Sequence, residues 1–258
     1  MRFAVNISMI GHPSPVAERI RTVAEAGFTA IEFWFAHQFD MTELGALCRD
    51  HGLDVALFDL EPSDTHPYGH VADPAAGAEF DRRLDEALRQ ADRLSCQTLN
   101  VLQGGRLPRL TVDEQMRVAI DRLGKASIAA ERAGVTLCLE GINRVDRPGS
   151  FCDRSAIGLA IVAAVDSPRV LFQYDIYHMQ IMEGNVIRTM TENIALIGHI
   201  QVADPPGRHE PGTGEINFPN VLAALEATGY QRWVSLEYWP SAGVADSFAW
   251  LPRDRRGR

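Results

Sequence analysis

Along this chain, short runs rich in β-branched and aromatic residues alternate with longer stretches whose apolar positions recur every three or four residues. Residues 3–9, FAVNISM, read as a strand. Ser14 then offers an N-cap with Pro15 at the first helical position, and VAERIRTVAEA carries an apolar stripe until Gly27 supplies a left-handed stop. Residues 30–35, AIEFWF, predict a second strand, and Asp40 with Glu43 forms a capping-box pattern for a helix that ends at His51 and Gly52. Further strands are expected at 54–60, 98–103, 135–140, 170–175, 197–203 and 233–238. Helices are expected from about Pro74 to Leu94, from a Thr111–Glu114 capping box to Gly134, and near 155–165, 184–195 and 219–228.

Strands that alternate this evenly with helices, with no linker or break in composition, predict a closed parallel α/β barrel. The expected fold is a (β/α)8 TIM barrel that occupies residues 1–258 as a single domain, because parallel strands need crossover helices and closure removes both sheet edges. An open doubly wound sheet is the competing architecture, but no glycine-rich nucleotide fingerprint is present, and Gly104-Gly105 after the fourth strand is too short to cradle a diphosphate. The tail LPRDRRGR, residues 251–258, reads as frayed, solvated charge.

Composition narrows the partners. Lys and Arg number 25 against 34 Asp and Glu, a formal charge of −9 that disfavours binding to a phosphate backbone, so no nucleic-acid partner is expected. No apolar run reaches the roughly 18 to 20 residues that cross a bilayer, so no membrane partner is expected. The start, MRFAVNISMIGHPSP, is too soon broken by proline to read as a secretory signal, so the expected location is the cytoplasm. The scattered Cys48, Cys96, Cys138 and Cys152 form no CxxC pair and read as reduced, buried thiols.

The strand ends carry the chemistry. In such a barrel the reacting groups stand at the C-terminal ends of the strands. The fifth strand ends at Glu140, the sixth at Asp175, the seventh carries Gln201, and the eighth reaches Glu237, each about one β/α unit from the next. Three carboxylates and an amide oxygen make a hard-oxygen set that suits Mg²⁺ or Mn²⁺ and suits Zn²⁺ poorly. Without a cation such carboxylates would repel one another and raise at least one pKa. For any one member alone, a hydrogen-bonded residue at a loop edge is the plainer reading; three charged ends after apolar runs are costly unless compensated.

His178 and Arg208 fall in the loops after strands six and seven and are candidate contacts for an anionic or hydroxylated substrate. His199 shares a strand face with Gln201, and Glu32 ends the second strand. Both join the candidate substrate contacts, with a ligand-supporting role, a satisfied core histidine and a pairing of Glu32 with an Arg left open. Trp34 and Phe35 would wall a pocket or pack in the core. His12, His37, His51, His66 and His70 are expected at the surface.

With QYDIYHMQ (173–180), MEG (182–184), GHIQVAD (198–204), EPGTGEINF (210–218) and the LEY of strand eight, supported by NISM and IEFWF near the start, the chain resembles the hydroxypyruvate isomerase family over almost its full length. That family lies among the xylose-isomerase-like barrels. The resemblance implies that Glu140, Asp175, Gln201 and Glu237 hold a divalent metal, that Glu140 and Glu237 are the acid/base pair, and that the protein is a homo-oligomer. It implies an isomerase that interconverts hydroxypyruvate and tartronate semialdehyde through an enediolate. The metal would act as a Lewis acid, the glutamates would serve as base and acid by turns, and His178 and Arg208 would grip or polarise the substrate.

The chain departs from the family pattern at Phe58-Asp59, where members commonly carry His-Asn, at Gly141 after Glu140, and at Trp239 where Lys is common. These changes leave open a shift toward a 2-oxo-tetronate or another short oxo-acid, or toward ketose 3-epimerase chemistry with the same two glutamates. An endonuclease of the same barrel class would need several His ligands and a basic groove, which the charge of −9 opposes. A non-catalytic sugar-binding barrel would not need both glutamates beside a metal.

Overall fold

The computed structural model describes residues 1–257. Eight parallel strands close into a barrel in sequence order: β1 (Arg2–Asn6), β2 (Ala30–Phe33), β3 (Asp54–Asp59), β4 (Thr98–Asn100), β5 (Thr136–Glu140), β6 (Val170–Asp175), β7 (Ile197–Val202) and β8 (Trp233–Leu236). Closure is made by β1 against β8, with Phe3 beside Val234 and Val5 beside Leu236. Every residue of β2, β5, β6 and β7 is buried, as strands covered by helices outside and side chains inside must be.

The crossovers are α1 (Val16–Glu25), α2 (Met41–His51), α3 (Gly77–Leu94), α4 (Val112–Ala133), α5 (Ser155–Val165), α6 (Ile176–Met182), α7 (Val186–Glu192) and α8 (Phe218–Ala227), with a short α9 (Arg253–Arg256) at the end. The Thr111–Glu114 capping box is formed in both directions, and Asp40 caps α2 through Thr42 N at 2.8 Å and Glu43 N at 3.0 Å. The barrel and the helix order expected from the pattern are present.

Several local expectations are corrected. Ser14 does not cap α1: Pro15 occupies the N-cap, and the Ser14 carbonyl instead accepts Arg19 Nε at 2.6 Å. The strand expected at 98–103 stops at Asn100, because the chain beyond turns to hydrogen-bond the loop before α3, with Ala72 N donating to Gln103 O at 2.9 Å. Two helices, α6 and α7, follow β6 where the pattern predicts one at 184–195: α7 with the 3-10 turn Ile194–Leu196 fills that range, and α6 lies before it. The first starts directly after β6 because the Asp175 carboxylate caps it, accepting from Tyr177 N at 2.8 Å and His178 N at 3.3 Å.

The tail is not frayed over its described residues; Arg258 lies outside them. Arg256 donates to the carbonyls of Ala26 at 2.9 Å, Leu251 at 2.9 Å and Phe248 at 2.7 Å, and lies over the Phe28 ring. His70 is buried rather than exposed, and burial pushes its pKa down to about 4. The four cysteines are free and buried. Burial pushes Cys48 up to about 11 and Cys96 and Cys138 up to about 12, the condition of unreactive thiols. Among the described residues no helix is long and apolar enough to cross a membrane.

Candidate active site

The C-terminal ends of the strands surround a cavity of about 230 Å³ whose wall includes Trp34, Asp59, Glu140, His178, Arg208 and Glu237. Each side chain is set by the strand that delivers it. Glu140 is the last residue of β5 and accepts Asn100 Nδ2, from the end of β4, at 2.7 Å. Asp175 ends β6 in register with Gln201 of β7. Glu237 follows β8, where its Oε1 accepts Trp34 Nε1 at 2.7 Å and Asn6 Nδ2 at 3.2 Å.

Arg208 is carried by the loop after β7 and reaches back across the barrel mouth. Its Nη2 pairs with Asp175 Oδ2 at 3.3 Å and with Glu237 Oε2, and its guanidinium lies over the Tyr177 ring. Backbone hydrogen bonds to Asp204 pin that loop. The Asp204 carboxylate accepts the backbone N–H of Gly212 at 2.9 Å, Gly214 at 3.0 Å and Ile216 at 3.0 Å. Gly214 passes so close that a Cβ there would sit 2.1 Å from the Pro205 carbonyl oxygen.

Ligand atoms of Glu140, Asp175 and His178, all buried, lie within 4.8 Å of one another. His178 stands on α6 rather than in a loop, with Nε2 3.4 Å from Asp175 Oδ2 and 3.9 Å from Glu140 Oε1. Its Nδ1 is 2.6 Å from Asn143 Nδ2; an amide donor there leaves the ring proton on Nε2, facing the carboxylates. Burial, and then the Arg208 and Arg147 charges, hold His178 well below the usual imidazole range, so it is neutral.

The carboxylates are crowded in a dry place. Burial, and then Asp175, pushes Glu140 up to about 8. Burial also raises Asp175 and raises Glu237 strongly, both against the opposing pull of Arg208. Asp59 is raised well above its ordinary value by burial and by Glu140, Glu237 and Glu32. Four buried acids around one largely buried arginine, with Arg147 at the mouth, form an oxygen-rich site short of positive charge. That is the donor set and the electrostatic deficit that a divalent cation of hard-oxygen preference relieves, so the residues fit such an ion.

Not every expected site residue faces the cavity. Glu32 and His199 lie beneath it, 0% and 1% exposed, and are bonded to each other through Glu32 Oε2 and His199 Nε2 at 2.6 Å. Burial pushes Glu32 up, but His199 together with hydrogen bonds from Ser235 and Gln201 outweighs it and the net shift is downward. Neither lines the cavity, and Glu32 pairs with a histidine and not with an arginine. Gln201 is engaged in the same layer, accepting Gln173 Nε2 at 2.8 Å and donating to Glu32 Oε1 at 2.7 Å. Asn6 ties that layer to the cavity, donating to Glu32 Oε1 at 2.9 Å as well as to Glu237.

Sequence reasoning missed Asn6, Asn100, Asn143 and Arg147. The first two share a signal, an amide at the last position of a strand, which counts for little singly. Arg147 belongs to the loop after β5 and lines the cavity mouth, a second cation beside Arg208. Trp34 proves to be a pocket wall, and Phe58 turns away to stack on Phe33 at 5.1 Å while Asp59 enters the cavity.

Residues 20–253 match the family described as Xylose isomerase-like TIM barrel. The chain belongs to that family. It is 36% identical over 253 residues to a 2-oxo-tetronate isomerase of Cupriavidus necator, a match covering 97% of each chain. It is 31% identical to the hydroxypyruvate isomerase of Escherichia coli, over 97% of this chain and 98% of that one. A crystal structure from Brucella melitensis, named AP endonuclease, family 2, superposes with a TM-score of 0.92 at 33% identity, covering 97% of both. Relatives of this similarity place the chain with the isomerases of the xylose isomerase-like family.

Proposed function

We propose that the protein is a metal-dependent isomerase of short 2-oxo-3-hydroxy acids, moving the carbonyl from C2 to C3 by proton transfer between Glu140 and Glu237 through an enediolate. The observation that carries this reading is that both glutamates line one small cavity beside Arg208, Arg147 and His178. Hydroxypyruvate to tartronate semialdehyde, and the corresponding step on a 2-oxo-tetronate, are the same shift; the second substrate carries one more CH₂OH on C3. A cavity of about 230 Å³ has room for either.

Arg208 and Arg147 suit the substrate carboxylate as charge-assisted donors. One glutamate takes the proton from C3, the hydroxyl proton on O3 passes to O2, and the other glutamate delivers a proton to C2, so atoms balance without an oxidant. Glu140, with a pKa raised to about 8, is poised to hold or release a proton near neutral pH. The Nε2 proton of His178 is placed to donate to a developing negative oxygen, and Trp34 and Phe35 keep water from the reacting carbons. Glu140, Asp175, Gln201 and Glu237 would hold Mg²⁺ or Mn²⁺, which when bound supplies Lewis-acid stabilisation of the enediolate oxygens.

A ketose 3-epimerase uses the same pair to exchange a proton at one carbon. Trp34 and Trp239, edge to face at 6.4 Å on the rim, would suit a neutral sugar. An acid-lined cavity of this size favours a small molecule over a nucleic acid. The same reading has the chain act as one domain and a homo-oligomer in the cytoplasm.

The test is turnover in D₂O by NMR, with Mg²⁺ or Mn²⁺ and with hydroxypyruvate, a 2-oxo-tetronate and a ketohexose in parallel. Deuterium entering the product of an oxo-acid, lost in Glu140→Gln and in Glu237→Gln, is the expected result. Turnover of the ketohexose alone would establish the epimerase instead. Ligand binding without turnover of any of the three would make the barrel a binding protein.

A further inference from the structure

A second cavity, of about 710 Å³, lies at the opposite end of the barrel, where the strands begin. Three arginines converge there from the starts of β1, β6 and β8: Arg2, Arg169 and Arg232. Asp54 is the one acid in the wall, so the bowl is positive in a chain whose formal charge is −9.

Two of the arginines are anchored by contacts that leave hydrogen-bonding capacity over. Arg2 Cζ lies over the Trp233 ring, 4.0 Å from its centroid, and no described residue bonds its side-chain N–H groups. Arg169 is held through Nε to Glu131 Oε2 at 2.6 Å, with no bond from its terminal nitrogens to a described residue. The Arg232 side chain makes no hydrogen bond or ion pair with any described residue, and its backbone is held against β1 by Arg2 N donating to Arg232 O at 3.1 Å. Thr136 at the base of β5 also lines the bowl, and its hydroxyl, bonded to no described residue, opens into it.

The depth of the bowl has a cause in the sequence. Barrels are ordinarily plugged by bulky branched side chains. Here the bottom layer is Ala4, Ala30 and Ala56, joined in the cavity wall by Gly198, where a Cβ would lie 2.7 Å from Cys138 Sγ. The floor is lowered while the rim is charged.

We propose that this bowl is a second ligand site, separate from the catalytic mouth, that takes a small polyanion bearing two or more phosphate or carboxylate groups. The planar forks of Arg169 and Arg232 would grip separate oxyanions bidentately, and Thr136 would donate from the floor.

Isothermal titration of the intact, metal-free protein with pyrophosphate and, separately, with citrate tests this and tells phosphate from carboxylate. Binding of one equivalent of either anion is expected. Arg232→Gln should weaken it on the order of tenfold, the loss of a charge-assisted hydrogen bond, and Thr136→Val should weaken it less. Arg147→Gln, at the catalytic mouth, should leave it unchanged. No binding of either anion at millimolar concentration overturns the proposal, as does binding that survives Arg232→Gln and Thr136→Val but is lost in Arg147→Gln. Circular dichroism of each variant separates a lost site from a lost fold.

Discussion

Trp34 Nε1 donates to Glu237 Oε1 at 2.7 Å, joining the end of β2 to the end of β8 across the barrel mouth. One side chain thus both walls the cavity and aims a proposed catalytic carboxylate. Trp34→Phe keeps the aromatic wall and removes only the donor. A hydrogen bond to a charged group is worth about 1.5 to 3 kcal/mol, so kcat should fall roughly ten- to hundredfold. Steady-state kinetics with unchanged KM would support a positioning role; an unchanged kcat would remove it.

The acid cluster makes metal-free stability depend on pH in an unusual direction. Glu140 is raised from 4.5 to about 8, so the folded state keeps a proton that the unfolded state has lost. Its contribution is present below about 4.5 and is lost as pH rises through about 8; Asp175, Asp59 and Glu237 are raised too and act in the same sense. The melting temperature of chelator-treated protein should therefore fall between pH 5.5 and 8.5, and Glu140→Gln should flatten the fall. Mn²⁺ or Mg²⁺ should restore stability most at the alkaline end, where the carboxylates are ionised. A melting temperature that rises with pH in the chelated protein would contradict the crowding described above.

Arg208 is the cation shared by Asp175 and Glu237. Arg208→Gln leaves both carboxylates without it, and losing one partner of a buried pair costs about 3 kcal/mol or more. Denaturant unfolding of the metal-free variant should show that loss. With oxo-acid substrates its KM should rise about tenfold or more, since a charge-assisted contact to the carboxylate is removed. An unaltered KM would assign the substrate carboxylate to Arg147 instead.

Arg256 bonds the carbonyls that end α1 and the turn near Phe248. Arg256→Ala should cost about 2 kcal/mol, from donors lost to buried acceptors. Urea unfolding would register it, whereas a solvated tail would give no change.

The apolar period, the caps and the turn residues settled the order of strands and helices, because those signals are local and each element carries its own. They also put Glu140, Asp175, Gln201 and Glu237 at strand ends, since in a parallel barrel chain direction alone decides which end of a strand meets the site. Sequence could not say which polar ends share the cavity and which lie beneath it. Strand alternation gives a face but not a depth; depth follows from strand register and from partners far along the chain. Glu32 and His199 sank together because a buried carboxylate and an imidazole compensate each other, 167 residues apart in sequence. Asp59 and Arg147 entered the cavity wall through the turn of one strand end and the path of one loop, and the arginine bowl arose from strand starts that only closure of the barrel brings together. Local pattern fixed the elements, and the closed barrel, through contacts no local pattern encodes, decided which side chains meet.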